Sequence, residues 1–206
     1  MSGYFITFEG PEKSGKSTQA KLLKKYLSKK GFFCLFIREP GSTTLGEKIR
    51  KILLDKKNTH IFHFSEMLLY MTARAQLVKE IIEPALKKNK VVICDRFLDS
   101  TIAYQGYGLG IDINQIKKIG SFVTKGIKPN ITILLDLDDK ESLFKDGHKK
   151  DRIELRSASF HKKVKNGYLL LSKLHPKRIK IVRVKDDVFS TQREIRRIID
   201  RCLLKK

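Results

Sequence analysis

The sequence predicts a single α/β domain: a five-stranded parallel sheet flanked by helices in three layers, closed by a short charged lid. Three observations predict it. Five short runs rich in β-branched and aromatic residues alternate with longer stretches of helical periodicity, the order that builds a parallel sheet with crossover helices. At 206 residues and 41% hydrophobic content the chain is long enough for one sizeable core and short for two. The first apolar run leads into Gly10-Pro11-Glu12-Lys13-Ser14-Gly15-Lys16-Ser17, a loop fitting G-x-x-x-x-G-K-[ST], which then opens a helix.

Tyr4-Phe5-Ile6-Thr7-Phe8 reads as a buried strand. The loop after it is the phosphate-binding P-loop, placing the domain in the P-loop NTPase fold. Gly10 and Gly15 admit dihedrals closed to other residues. Backbone N–H groups then converge on an anion at a helix N-terminus. Residues Gly10, Pro11, Glu12, Lys13, Ser14, Gly15, Lys16, Ser17 and Thr18 are therefore expected to bind a nucleoside triphosphate. Lys16 is expected to reach the β/γ-phosphates and Ser17 to ligate Mg²⁺. Residues 18–30 carry Ala20, Leu22, Leu23, Tyr26 and Leu27 at helical spacing, and Gly31 suits the stop.

Residues 32–37 form the second predicted strand, ending in Arg38-Glu39-Pro40-Gly41. Ligands of open α/β sheets sit beyond the carboxyl ends of strands, and an arginine there suits a phosphate. Residues 45–54 predict a short amphipathic helix, and 64–88 a long one with broad apolar faces. Arg74 lies on its buried side, one turn after Tyr70, and so must meet an anion or an acceptor. Val91-Val92-Ile93-Cys94 is a central strand ending in Asp95-Arg96, where a carboxylate orients Mg²⁺ or its waters in P-loop proteins. The polar, aromatic stretch 99–106 starts as a helix, and Asp112 with Gln115 forms a capping box for another helix ending near Gly126. Residues 131–137 and 179–184 are the last strands, and 157–174 and 188–204 the last helices. Between them, 138–156 is dominated by charge, cannot bury much, and reads as the lid.

The chain carries 44 Lys+Arg against 22 Asp+Glu, a formal net charge of +22. The lysines are scattered and not gathered into one tract with interleaved aromatics, so nucleic acid is not the expected partner. Cys34, Cys94 and Cys202 form no C-x-x-C pair and are expected as thiols in a reducing cytoplasm. No basic n-region precedes the first strand, and no apolar run is long enough to span a bilayer.

With these residues in view, the chain resembles the thymidylate kinase family. The resemblance rests on Phe8-Glu9-Gly10 with Glu12 and Gly15-Lys16-Ser17-Thr18, on Arg38-Glu39-Pro40-Gly41, and on Ala73-Arg74 with Gln76. It continues in Asp95-Arg96-Phe97 with Ser100 and Ala103-Tyr104-Gln105-Gly106, and in Asp151-Arg152-Ile153-Glu154 with Phe160. These blocks span residues 5 to about 160; the rest follows only in pattern. The resemblance implies transfer of the γ-phosphate of ATP to dTMP, with Mg²⁺, by a homodimer packed through helices. By the same resemblance Glu12 contacts the 3′-hydroxyl of dTMP, and Arg38 and Arg96 hold its phosphate. Tyr70 stacks on thymine, Arg74 bonds the base, Ser100 and Gln105 read its edge, and Tyr104 disfavours a ribose 2′-hydroxyl.

The lid has Lys145, His148, Lys149 and Lys150, and only Arg152 of the family's usual arginines. Lys13 lies in the loop where one family subtype carries a basic residue, so catalytic charge is expected from Lys16, Lys13, Arg96 and Arg152. A different nucleotide or nucleoside kinase is the first rival, but the loop lacks G-x-P-G-x-G-K-G-T and Asp95-Arg96-Phe97 replaces Glu-Arg-Ser. A basic, DNA-bound P-loop ATPase is the second, motivated by the charge.

Overall fold

The computed structural model describes residues 3–137 and 150–203. Five strands, β1 (Tyr4–Glu9), β2 (Cys34–Arg38), β3 (Val91–Asp95), β4 (Ile131–Asp136) and β5 (Ile179–Arg183), form one parallel sheet in the order β2-β3-β1-β4-β5. The predicted class and strand count hold. The register aligns Phe8 and Arg38 with Asp95, so the ends of β1, β2 and β3 open onto one edge.

Period-two alternation in β1 decides what meets each face. Ile6 and Phe8 pack with Leu23 and Leu27 of α1 (Lys16–Lys29) and Ile195 and Ile199 of α8 (Val188–Leu203). Phe5 turns the other way, to Leu77, Val78 and Ile82. Thr7 and Glu9 share the face of Phe5, which is how a carboxylate enters the interior at the sheet's edge. Further along that face, α6 (Ile113–Val123) and α7 (Ala158–Leu174) enclose Ile116, Leu134, Phe160, Val164 and Tyr168.

The expected helix 64–88 divides. Helix α3 (His63–Leu77) passes through a π-helical turn, Val78–Ile82, into α4 (Glu83–Lys87). Pro84 is the cause: it has no N–H for an α-helical bond, and its ring would strike the carbonyl four residues back, so the turn widens. The stretch after β3 does likewise, α5 (Leu98–Thr101) opening into a π-helical turn over Ile102–Gly108. Helix α2 (Thr44–Leu54) is capped by Thr43, and α6 by Asp112, which accepts the Gln115 N–H at 2.8 Å as the capping box predicts. Helix α7 lies close on the second π-helical turn, where a Cβ at Gly167 would come within 2.7 Å of the Tyr107 ring.

Candidate active site

The loop between β1 and α1 is shaped by left-handed backbone. Gly10 has φ 138°, and a Cβ there would meet the Leu135 carbonyl oxygen at 2.4 Å, so glycine is required. Gly15 (φ 81°) caps α1, and Lys13 holds φ 60°, a strained value for a residue with a side chain. Lys16 is buried and folds back on the loop, its Nζ donating to the Pro11 carbonyl (2.5 Å) and to Ser14 Oγ (3.2 Å). Burial, with the Arg96 cation adding to it, lowers the Lys16 ammonium to about 8. The Ser17 hydroxyl donates to the Asp95 carboxylate across the edge, and Thr18 is exposed.

Beside this loop lies a cleft, open to solvent and lined by Glu12, Tyr70, Arg74, Arg96, Ser100, Tyr104 and Gln105. Aromatic and apolar walls with a few convergent polar groups suit a small molecule. Arg96 (φ 69°) is its hub. Its Nη2 donates to Glu12 Oε1 at 2.6 Å and to Tyr104 Oη at 3.2 Å; its Nη1 donates to the Gly10 carbonyl, Ser100 Oγ and Tyr168 Oη at 3.0–3.1 Å. The Tyr104 hydroxyl donates to Glu12 at 3.0 Å. Burial pushes the Glu12 carboxyl up, but Arg96 and Lys16 outweigh it and bring it to about 2.

Arg74 is fully buried and meets the anion its position requires. It pairs with Glu39 and donates to Thr101 Oγ1 (2.8 Å) and the Phe97 carbonyl (3.2 Å). Among the described residues Glu39 Oε2 and Arg74 Nε find no partner, leaving hydrogen-bonding capacity at the cleft wall. Gln105 lines the cleft with its Nε2 tied to Glu66.

Two expected site residues sit elsewhere. Arg38 is half exposed and forks onto Glu47 at 3.0 and 3.1 Å; it does not line the cleft, whereas Arg50 does. Arg152, expected to bring charge to the phosphates, is buried, with Nη2 on Glu66 at 2.6 Å and Nε on the Leu53 carbonyl at 2.8 Å, and does not line the cleft. The cause is Glu66, a buried carboxylate that needs cations beside it. Lys145, His148 and Lys149 lie outside the described residues.

Sequence reasoning missed Glu9 and Tyr168. Glu9 is fully buried, accepting from the Phe97 N–H (2.7 Å), Ser100 (2.5 Å) and Tyr168 (3.1 Å). Burial, with Asp99 nearby, raises its carboxyl to about 7. Glu9 was legible only as part of the loop's flank, and Tyr168 sits on the apolar face of α7, where spacing reads it as core.

A sequence model described as thymidylate kinase matches residues 8–195. The chain belongs to the thymidylate kinase family. It is 44% identical over 204 residues to the thymidylate kinase of Caldanaerobacter subterraneus subsp. tengcongensis, covering 98% of each chain. It is 47% identical over 189 residues to that of Geotalea daltonii, covering 87% of this chain and 88% of the other. The crystal structure of thymidylate kinase from Ehrlichia chaffeensis superposes with a TM-score of 0.78 at 35% identity, over 97% of this chain and 99% of that one. The activity is therefore ATP-dependent phosphoryl transfer to dTMP, and the fold is the P-loop NTPase fold the glycine loop predicts. No helix among the described residues is long and apolar enough to cross a membrane.

Proposed function

We propose that the cleft holds dTMP, the loop Gly10 to Thr18 holds ATP, and the Arg96–Glu12 pair stands between them. The observation that carries this reading is that one guanidinium touches the Gly10 carbonyl, Glu12, Ser100 and Tyr104 at once. Arg96 takes the acceptor phosphate, and Arg38 joins it by exchanging Glu47 for that phosphate. Glu12 takes the 3′-hydroxyl, Tyr104 crowds a 2′-hydroxyl, Tyr70 stacks on the base, and Arg74, Ser100 and Gln105 meet its edge.

The acceptor is a phosphate monoester with a second pKa near ~6, so it is largely dianionic at neutral pH and needs no general base. Catalysis is then positioning and charge neutralisation between two polyanions. Lys16, Lys13 and Arg96 supply the protein's share.

Ser17 and Asp95 are hard oxygen donors already in contact at the mouth of the loop, which fits Mg²⁺ held by a few protein oxygens and the nucleotide's phosphates. Bound there, the ion would neutralise charge on the transferring phosphoryl group. Apolar side chains turned outward on α2 and α3, Leu45, Ile52 and Leu68, support a homodimer through those helices. Three free thiols accord with a cytoplasmic setting.

A coupled phosphotransfer assay with ATP, Mg²⁺ and dTMP, dUMP, dCMP, dGMP, UMP and CMP tests the reading. Strong preference for dTMP is expected. Equal turnover of purine and pyrimidine monophosphates would remove the assignment of the base site.

A further inference from the structure

Behind the cleft wall lies a buried carboxylate, Glu66, that binding and phosphoryl transfer, as assigned above, do not use. Glu66 of α3 is fully buried. Its Oε2 accepts from Arg152 (2.6 Å) and Arg156 (2.7 Å). Its Oε1 accepts from Gln105 Nε2 at 3.0 Å. A carboxylate between two guanidinium groups offers acceptors only, so it can hold an amide solely by its N–H side. Gln105 lines the cleft and Glu66 does not. Among the described residues none donates to Gln105 Oε1.

We propose that Glu66 is a positioning residue for base choice: it fixes the Gln105 amide so that its carbonyl oxygen is what the cleft presents to the pyrimidine edge. The inference rests on the reading that the cleft takes the base. A fixed acceptor favours bases that carry an imide N–H at the ring position between their carbonyls, as thymine and uracil do. It disfavours cytosine, whose ring nitrogen there is itself an acceptor. An amide free to rotate would suit both edges, because its two ends have opposite polarity. The same carboxylate anchors the C-terminal end of the charged segment. Arg152 is also held by the Leu53 carbonyl (2.8 Å), and its N–H by the Leu54 carbonyl (3.2 Å), at the end of α2. Asp151 and Ile153 beside it line the cleft, so base orientation and closure of this wall share one group.

The test is the ratio of kcat/KM for dTMP to that for dCMP, measured with thermal midpoints. Glu66→Gln gives residue 66 an N–H of its own and lets Gln105 turn over. The ratio should fall about tenfold or more, roughly what one misdirected hydrogen bond costs. Arg156→Ala leaves Arg152 and Gln105 on the carboxylate, so it should lower the midpoint and leave the ratio unchanged. The double exchange Glu66→Gln with Gln105→Glu conserves charge, lets residue 66 donate to residue 105, and again turns an acceptor to the base. It should restore the ratio, and it decides the matter if the single variant does not fold. A wild-type ratio in Glu66→Gln, or a folded double variant without selectivity, would overturn the proposal. Gln105→Ala separates the two layers: if it leaves the dTMP KM unchanged, the base is not read at this wall and the underlying site assignment falls as well.

Discussion

Arg96 Nη2 lies 2.6 Å from Glu12 Oε1, joining the residue after β3 to the middle of the phosphate loop. The two elements are adjacent only because β1 and β3 pair in register with Phe8 opposite Asp95. Removing the guanidinium leaves Glu12, Ser100 and Tyr168 without their common donor. Arg96→Ala should lower kcat/KM for dTMP by about 100-fold or more, in line with breaking a partly buried charge pair and removing a guanidinium held for the phosphate. Arg96→Lys should recover little, because one ammonium cannot reproduce the fork. Steady-state kinetics on both variants, with circular dichroism to verify folding, check this.

Lys13 combines a cation with strained backbone, and two substitutions separate them. Lys13→Ala removes the charge and should lower kcat about tenfold or more with little change in dTMP affinity, as expected for charge needed mainly in the transition state. Lys13→Gly removes the charge and also relieves the φ of 60°, a strain of order 1 kcal/mol, so it should be the more stable of the two and equally slow. Restored turnover in the glycine variant would assign the effect to the backbone.

Tyr104 Oη reaches both members of the Arg96–Glu12 pair, at 3.2 and 3.0 Å. Tyr104→Phe should cost a few-fold in kcat/KM for dTMP, about the net worth of one or two hydrogen bonds. The smaller Tyr104→Ala should raise the relative rate on UMP against dUMP. No change in that ratio would remove the tyrosine from sugar selection.

Glu9 ties folding to pH. Its carboxyl, raised to about 7 by burial and by Asp99, binds more protons in the folded chain than in the unfolded one between about 4.5 and 7. Its contribution to stability is therefore fully present below pH 4.5 and is lost as pH rises through 7. Glu9→Gln has no such proton to lose. The thermal midpoint of the wild type should fall relative to that variant across this window, and a constant difference would contradict the assignment.

Local signals carried the fold. The loop motif, the five apolar runs and the Asp112–Gln115 cap each depend on residues close in sequence, and each formed where expected. The π-helical turn at Val78–Ile82 was readable in principle from Pro84, but the apolar stripe ran on through it and masked the break. The placement of Asp95 and Arg96 at a strand end beside the loop was legible for the same local reason. Pairings across the fold were not. The capture of Arg38 by Glu47, and of Arg152 by Glu66 across 86 positions, depends on which carboxylate lies nearby after folding. Glu66 lies one turn before Tyr70, on the face that carries Arg74, so its burial was legible from spacing; its residue type, which reads as helix surface, masked it.

The most direct test is a crystal structure of the protein with dTMP bound. Thymine is expected against Tyr70 with its edge at Arg74 and Gln105, the 3′-hydroxyl at Glu12, and the phosphate on Arg96 facing the loop. A nucleotide bound outside the cleft, or bound within it with the base at Arg96, would contradict this placement.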